Sequence, residues 1–331
     1  MARAARAQGT HVKLEVRRYS YGLRLQLTPS CQLRCGYCRP DRTDAWRARA
    51  LGSAELARAV WLLAKLGVDR VRLTGGEPLL HKDALGLVAR LADLEGVREI
   101  ALTTNGQRLA SRAGALRRAG LSRVNVHIDS LEAGLYRRIC GGDLSRALDG
   151  LRAAVVAGLS PKVNVVVQRG LNDREIPAFC ELGRELGVVV RFIEIMDTGI
   201  APDFAARRFV SAAEIGAQLE ALGATRAPRL GCAPALDYQF ADGSRAGVIA
   251  SETEPFCHGC DRLRLGFDGV LRTCLYAEGG LEMAALLRSP MPDLEIAKLL
   301  RAHIAAKRSR HPSGPGASRG ARGFSMAAVG G

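Results

Sequence analysis

From Leu25 to Ile195 the chain alternates six short β-rich runs with segments of helical period. The runs are Leu25–Thr28, Arg70–Leu73, Glu99–Thr103, Arg123–Ile128, Lys162–Gln168 and Val188–Ile195. The segments between them, such as Ser53–Leu66 and Leu144–Ala157, space apolar residues three and four apart, as an amphipathic helix does. Gly67, Gly96, Gly120, Gly158 and Gly187 each close a helical segment before a run, where a C-terminal helix glycine belongs. Strands joined through helical crossovers run parallel. Six such units predict an α/β fold. It is either a partial (β/α)6 TIM-like barrel or, on pattern alone, a doubly wound sheet. Both collect chemistry at the C-terminal ends of their strands. Cys31, Gly75, Thr103, His127, Gln168 and Met196 stand at or just past those ends.

The texture changes after Met196. Residues 198–208 read as a loop, and a helix opens at Ser211, which forms a capping box with Glu214. Residues 227–259 are turn-rich, with short strands at Asp237–Phe240 and Ala246–Ile249. The expected organisation is a basic segment 1–22, a barrel 23–226, a smaller C-terminal domain 227–308 against the barrel mouth, and a flexible tail 309–331. That tail holds a low-complexity stretch, 311–322, and ends in Gly330-Gly331.

Of 331 residues, 47% are apolar, enough for a buried core. No apolar run approaches the ~18 residues of a membrane span, and no signal peptide is evident. The net charge of +15 suits nucleic acid, an anionic surface or a polyphosphate. Aromatics are only 5% and do not interleave with basic residues, which argues against a single-strand stacking surface. Neither nucleic acid nor membrane is therefore expected as a partner.

Nine cysteines without an export signal argue for a reducing, cytoplasmic setting and for metal binding. Six form two tight groups. Cys31, Cys35 and Cys38, spaced C-x3-C-x2-C, follow the first run. Three thiolates on a four-iron cluster leave one iron open to a small molecule. A structural zinc site or ordinary core cysteines are the alternatives, although zinc usually takes four ligands. Cys257, Cys260 and Cys274, spaced C-x2-C-x13-C, again lack a clear fourth ligand. His258 could complete a zinc site but sits awkwardly beside Cys257. Cys140, Cys180 and Cys232 read as small apolar residues.

A further segment, Arg72-Leu73-Thr74-Gly75-Gly76-Glu77-Pro78, follows the second run. Together with the first cysteine group it resembles the radical S-adenosylmethionine (radical SAM) enzymes. The resemblance implies a four-iron, four-sulfur cluster on Cys31, Cys35 and Cys38, with SAM chelating the open iron. It implies adenine contact by Tyr37, and a seat for the SAM amino group at Gly75, Gly76 and Glu77. It also favours the barrel over the doubly wound sheet.

With the second cysteine group and the terminal Gly330-Gly331, the resemblance narrows to the GTP 3′,8-cyclases of molybdenum-cofactor biosynthesis, the MoaA family. It rests on CQLRCGYC, VRLTGGEPLL, LTTNG, KVNVVVQRGLND, RFIEIMDTG, PFCHGCDRLRLGFDGVLRTCLY and MAAVGG. The implied activity is a lyase reaction. A 5′-deoxyadenosyl radical from SAM takes the C3′ hydrogen of GTP, the carbon radical attacks guanine C8, and the product is 3′,8-cyclo-7,8-dihydro-GTP.

The second cluster, on Cys257, Cys260 and Cys274, is then expected to hold the guanine. Arg24, Arg72, Thr103, Lys162, Arg262, Leu263 and Arg264 match GTP-binding positions, and Met196 matches a SAM contact. Gly330 and Gly331 are expected to enter the cavity as catalytic residues. Implied partners are an external electron donor and the enzyme that consumes the product, cyclic pyranopterin monophosphate synthase (MoaC). A homodimer is compatible with this reading. Another radical SAM enzyme, of the peptide-modifying type with an auxiliary cluster, is the alternative. Three positions depart from the family pattern: His127 replaces a SAM-contacting serine, Arg39 a methionine and Asp261 an asparagine.

Overall fold

The computed structural model describes residues 20–38, 50–196, 202–229, 233–277 and 279–307. Six parallel strands form its centre: β1 (Tyr21–Gln26), β2 (Val68–Thr74), β3 (Glu99–Thr104), β4 (Arg123–His127), β5 (Lys162–Val166) and β6 (Val189–Ile193). The helices between them are α1 (Ser53–Ala64), α2 (Ala84–Ala92), α3 (Ala113–Arg118), α4 (Ala133–Cys140), α5 (Leu144–Val156) and α6 (Ile176–Leu186). The expected alternation is thus present, with strand limits shifted by a few residues. The five helix-ending glycines all have positive φ. At Gly120, φ is 102° and an added Cβ would also lie 2.6 Å from the Ala92 Cβ, so no other residue fits there.

Alternation along the strands sorts the two faces. Leu23, Leu25, Val71, Leu73, Ile100, Leu102, Val124, Val126, Val163, Val190 and Phe192 are buried against the helices. The α1 residues that meet them, Leu56, Ala59, Val60 and Leu63, recur at helical spacing. Burying each such leucine or valine contributes about 1.5–3 kcal/mol before the entropy cost of ordering it. The opposite face carries Arg24, Arg72, Thr103, Asn125, His127, Lys162, Asn164 and Arg191. This face curls inward. Arg72 on β2 and Arg191 on β6 interact electrostatically, whereas four strand spacings in a flat sheet would separate them by roughly 19 Å. A partial barrel with a polar lumen results.

The C-terminal residues do not simply cap the strand ends. They extend the same sheet at both edges, giving the order β12-β11-β10-β1-β2-β3-β4-β5-β6-β9-β8-β7. The added strands are β7 (Thr225–Arg226), β8 (Leu236–Gln239), β9 (Arg245–Ile249), β10 (Arg262–Leu265), β11 (Val270–Arg272) and β12 (Leu281–Glu282). Strand β10 lies parallel to β1 and β9 lies parallel to β6. Within 198–208, read as loop, Pro202–Arg208 forms a short helix, α7. Its opening proline suits a first helical turn, which needs no N–H there. The capping box at Ser211 opens α8 (Ala212–Ala221) as expected.

The carboxylate of Glu194, buried past β6, accepts from the backbone N–H groups of Ala212, Glu252 and Thr253. It thereby fastens α8 and the β9 exit to the barrel. Two last helices, α9 (Met283–Arg288) and α10 (Asp293–Ala305), return to α1. There Arg58 pairs with Asp293, and Arg288 with Glu55.

Candidate active site

The first cysteine group lies in the turn after β1. Its thiols are half-buried and close enough to raise one another. Burial, reinforced by Glu77 and Cys35, pushes the Cys31 thiol up to about 11. Burial, with Cys35, Cys31 and Asp129, pushes Cys38 up to about 12. Such crowding is unfavourable for thiolates alone and is relieved by a bound cation. Two donors already point at the Cys31 sulfur: the Leu33 N–H at 3.4 Å and Asn105 Nδ2 at 3.6 Å. N–H groups aimed at sulfur suit a cluster-bearing thiolate. This set therefore fits an iron–sulfur cluster.

The Gly75-Gly76-Glu77 turn packs directly under this loop. The Gly76 N–H donates to the Thr28 carbonyl and the Glu77 N–H to the Ser30 carbonyl, each at 2.7 Å. An added Cβ on Gly76 would lie 2.4 Å from the Ser30 oxygen and 2.6 Å from the Pro29 oxygen. Glu77 is fully engaged. Its carboxylate accepts from the Leu79 N–H, the Thr104 hydroxyl and the Asn105 N–H. Its side chain thus builds the turn, and the exposed rim left for a ligand is backbone. Tyr37 is anchored by its hydroxyl, which donates to Asp129 Oδ2 at 2.5 Å.

Strand register sets the cations in rows. Arg264 on β10, Arg24 on β1 and Arg72 on β2 are direct cross-strand neighbours. The same row continues through Ala101 on β3 to Arg123 on β4. Lys162 stands opposite Asn125, and Arg191 opposite Asn164. Burial first, then Arg264 and Arg262, depress the Arg24 guanidinium; burial, then Arg24, Arg123 and Arg191, depress Arg72. Guanidinium groups still keep their protons across the working pH range. Lys162 is different: burial, then Arg191, Arg123 and Arg245, push its ammonium down to about 8. Among the described residues, buried polar atoms on this surface have no protein partner, notably Arg72 Nη1 and Asn164 Oδ1. A surface so charged and so incompletely paired suits a polyanion with many acceptor oxygens.

The second cysteine group reaches the lumen from the other end. Cys257–Gly259 is a single 3-10 turn leading into β10, whose first residue pairs with Gly22 at the start of β1. The first group follows the end of β1. Roughly 13 Å of strand, from Gly22 to Gln26, therefore separates the two levels. Arg24 lies between them and interacts with both Cys260 and His127. Burial raises the Cys260 thiol, but Arg262 and Lys307 outweigh it and hold the thiol below its ordinary value, so this sulfur is readied for metal. Cys260 and Cys274 both act on Arg264. This set also fits an iron–sulfur group.

Other expected residues are placed unevenly. Thr103 and Met196 are half-buried at the barrel mouth. Arg262 stacks its guanidinium 4.4 Å from the Phe256 ring centroid. Leu263, expected at the GTP site, is fully buried on the opposite face of β10; its side chain belongs to the core. His127 shares a 3.4 Å contact with Asn164; burial, opposed by Asp129 and aided by Arg24, lowers its pKa below the ordinary imidazole value and favours the neutral ring. Asp261 pairs with Arg70 at 2.7 Å, clamping the β10 entry to β2. Gly330, Gly331, Arg39 and Cys232 lie outside the described residues. Asn125, Asn164 and Arg191 were missed in the sequence. Arg191 left a signal there: a lone cation inside Val188–Ile195, where a doubly covered strand should be apolar.

Comparison with known proteins decides the family. The "Radical SAM superfamily" model matches residues 25–183 and the "Molybdenum Cofactor Synthesis C" model residues 188–313. The GTP 3′,8-cyclase of Pelotomaculum thermopropionicum is 43% identical over 87% of this chain and 91% of its own length. That of Streptomyces coelicolor is 40% identical over 93% and 94%. The chain belongs to the GTP 3′,8-cyclase family. Among solved structures, Streptococcus suis SuiB bound to precursor peptide SuiA has a TM-score of 0.59 at 15% identity, covering 89% of this chain and 69% of that one. At that identity the likeness concerns the fold alone. Among the described residues no helix is long and apolar enough to cross a membrane.

Proposed function

We propose that the two cysteine groups and the cationic rows are the working parts of a radical GTP 3′,8-cyclase. As a member of this family the chain is a radical SAM enzyme that converts GTP to 3′,8-cyclo-7,8-dihydro-GTP in molybdenum-cofactor biosynthesis. The observation that carries the reading is a lumen lined by Arg24, Arg72, Lys162, Arg191 and Arg264, with one cysteine group at each end.

Cys31, Cys35 and Cys38 would hold one 4Fe–4S cluster, which would supply the electron that cleaves SAM. The Gly75-Gly76 backbone takes the SAM amino group, Tyr37 and Met196 flank the nucleoside, and neutral His127 offers one hydrogen bond. The cations bind the GTP phosphates, and Thr103 and Asn125 meet polar atoms of the nucleotide. Cys257, Cys260 and Cys274 would hold a second cluster facing the guanine, with Arg262 and Arg264 beside it. This leaves C3′ facing the SAM end of the lumen and keeps the phosphates on the cationic wall. Gly330 and Gly331 complete the site from the tail.

The proposal includes an external one-electron donor, transfer of the product to cyclic pyranopterin monophosphate synthase, a homodimer and a cytoplasmic setting. It also keeps the division into barrel 23–226 and C-terminal unit 227–308. The test is anaerobic incubation of the reconstituted, reduced protein with SAM and GTP. Cyclised nucleotide with matching 5′-deoxyadenosine supports the proposal. 5′-Deoxyadenosine without cyclised nucleotide would instead favour a peptide-modifying radical SAM enzyme.

A further inference from the structure

Cys140, at the end of α4, is 2% exposed and had read as a small apolar residue. Its surroundings are not apolar. Its Sγ, the Cys35 Sγ and a carboxylate oxygen of Asp129 all lie within 4.8 Å of one another. The Cys140 thiol donates to Asp129 Oδ2 at 3.4 Å, and the Cys35 sulfur is its other close neighbour. Asp129 is held from several sides. Its Oδ1 accepts from the Val166 N–H at 2.8 Å, its Oδ2 from the Tyr37 hydroxyl, and its backbone carbonyl from Asn172 Nδ2. The Cys140 carbonyl accepts from the Arg34 N–H at 2.8 Å, which locks the cysteine turn onto the end of α4. Tyr37, Asp129, Cys140 and Cys35 thus form one continuous run of side chains.

We infer that the Cys140 thiol is the hydrogen-bond donor to the Cys35 sulfur when that sulfur ligates the first cluster, and that it sets how readily the cluster accepts an electron. The inference rests on the cluster assignment made above. In the structure the single thiol proton goes to Asp129 Oδ2, which also accepts from the Tyr37 hydroxyl. A Cys35 thiolate on the cluster, within 4.8 Å, is a second anionic acceptor to which the rotatable S–H can turn. A donor at a ligating sulfur withdraws charge, which favours the reduced cluster because that form is the more negative one. The Asp129 charge works in the opposite direction, and the Tyr37 hydroxyl offsets it. Tyr37 is also the proposed adenine contact, so the same run ties the adenine seat to the electron acceptor. Cys140 acts through Cys35 and is therefore a positioning residue.

The test is a redox titration of the first cluster followed by electron paramagnetic resonance. A full-length background with Cys257, Cys260 and Cys274 changed to alanine isolates its signal. Cys140→Ala is expected to lower the reduction equilibrium constant about tenfold, which is about 59 mV for one electron. Cys140→Val, which fills the space without the donor, repeats that shift. Cys140→Ser restores most of the original potential, and Asp129→Asn moves it the other way. An unchanged potential in both Cys140→Ala and Cys140→Val overturns the inference. So does a Cys140→Ser shift as large as theirs, because packing would then be the cause. Failure of the parent background to take up iron at Cys31, Cys35 and Cys38 would overturn the cluster assignment itself, and the inference with it.

Discussion

As a proposed GTP contact, Lys162 carries a pH dependence that can be worked from its surroundings. Its ammonium is half-buried at the start of β5 and faces Arg191, Arg123 and Arg245. Burial and those cations push it down to about 8. A group with that pKa is about nine-tenths charged at pH 7 and about one-tenth charged at pH 9. Bound triphosphate brings compensating negative charge and holds the lysine protonated. Each GTP bound at pH 9 must then take up a proton, and the apparent affinity falls about tenfold between pH 7 and pH 9, roughly 1.4 kcal/mol. Isothermal titration with SAM omitted measures this directly. Lys162→Arg keeps its charge, so its profile is flat apart from the ionisation of GTP itself, for which it is the control. Lys162→Met is weaker at pH 7 and equally flat. A wild-type profile parallel to that of Lys162→Arg would refute the reasoning. The same shift acts on stability. The folded pKa lies below the ordinary 10.5, so between about 8 and 10.5 the unfolded chain binds more protons. This residue's destabilising effect is therefore full below about 8 and disappears as pH rises through that window.

Gly76→Ala drives a Cβ into the Ser30 and Pro29 carbonyls, a backbone clash worth about 1–3 kcal/mol. The expected result is a lower melting temperature with iron lost from the first cysteine group; wild-type iron content and melting would contradict it. Arg191→Ala removes one charge-assisted contact worth about 1.5–3 kcal/mol, so equilibrium dialysis should show GTP binding about 10- to 100-fold weaker with SAM binding unchanged. A GTP affinity equal to wild type would exclude Arg191 from the phosphate site. Cys274→Ala should cost about four irons per chain and abolish cyclisation while uncoupled 5′-deoxyadenosine formation continues. Full iron retention would show that Cys274 is not a ligand.

The strand–helix alternation was readable because each element is specified locally, by apolar period and by the closing glycines. The short helix Pro202–Arg208 was missed because a single turn or two carries little period, and only its opening proline marked it. Distant pairing was hidden altogether. The β10–β1 ladder joins residues 240 positions apart, and the Phe267 N–H bond to Gln26 Oε1 joins residues 241 apart. No local pattern could show that Cys257 and Cys260 enter from the N-terminal end of β1 while Cys31 leaves from the other. Cys140 failed for the same reason, since its neighbours Cys35 and Asp129 arrive on other elements.

The inner face was the most informative and least exploited signal. A packed barrel fills its interior with branched apolar side chains. Here alternate residues of β1, β2, β4, β5, β6 and β10 instead place arginine, lysine and asparagine inside, with Ala101 and Gly247 leaving space between them. Six such strands cannot be held open by apolar packing across the lumen, so the helices outside carry the fold and the cations inside carry the cost of mutual repulsion. Arg24, Arg72, Lys162 and Arg264 are depressed by burial first and by that repulsion second. A polyanion relieves it, so binding a triphosphate should raise the melting temperature, and more so at low than at high ionic strength.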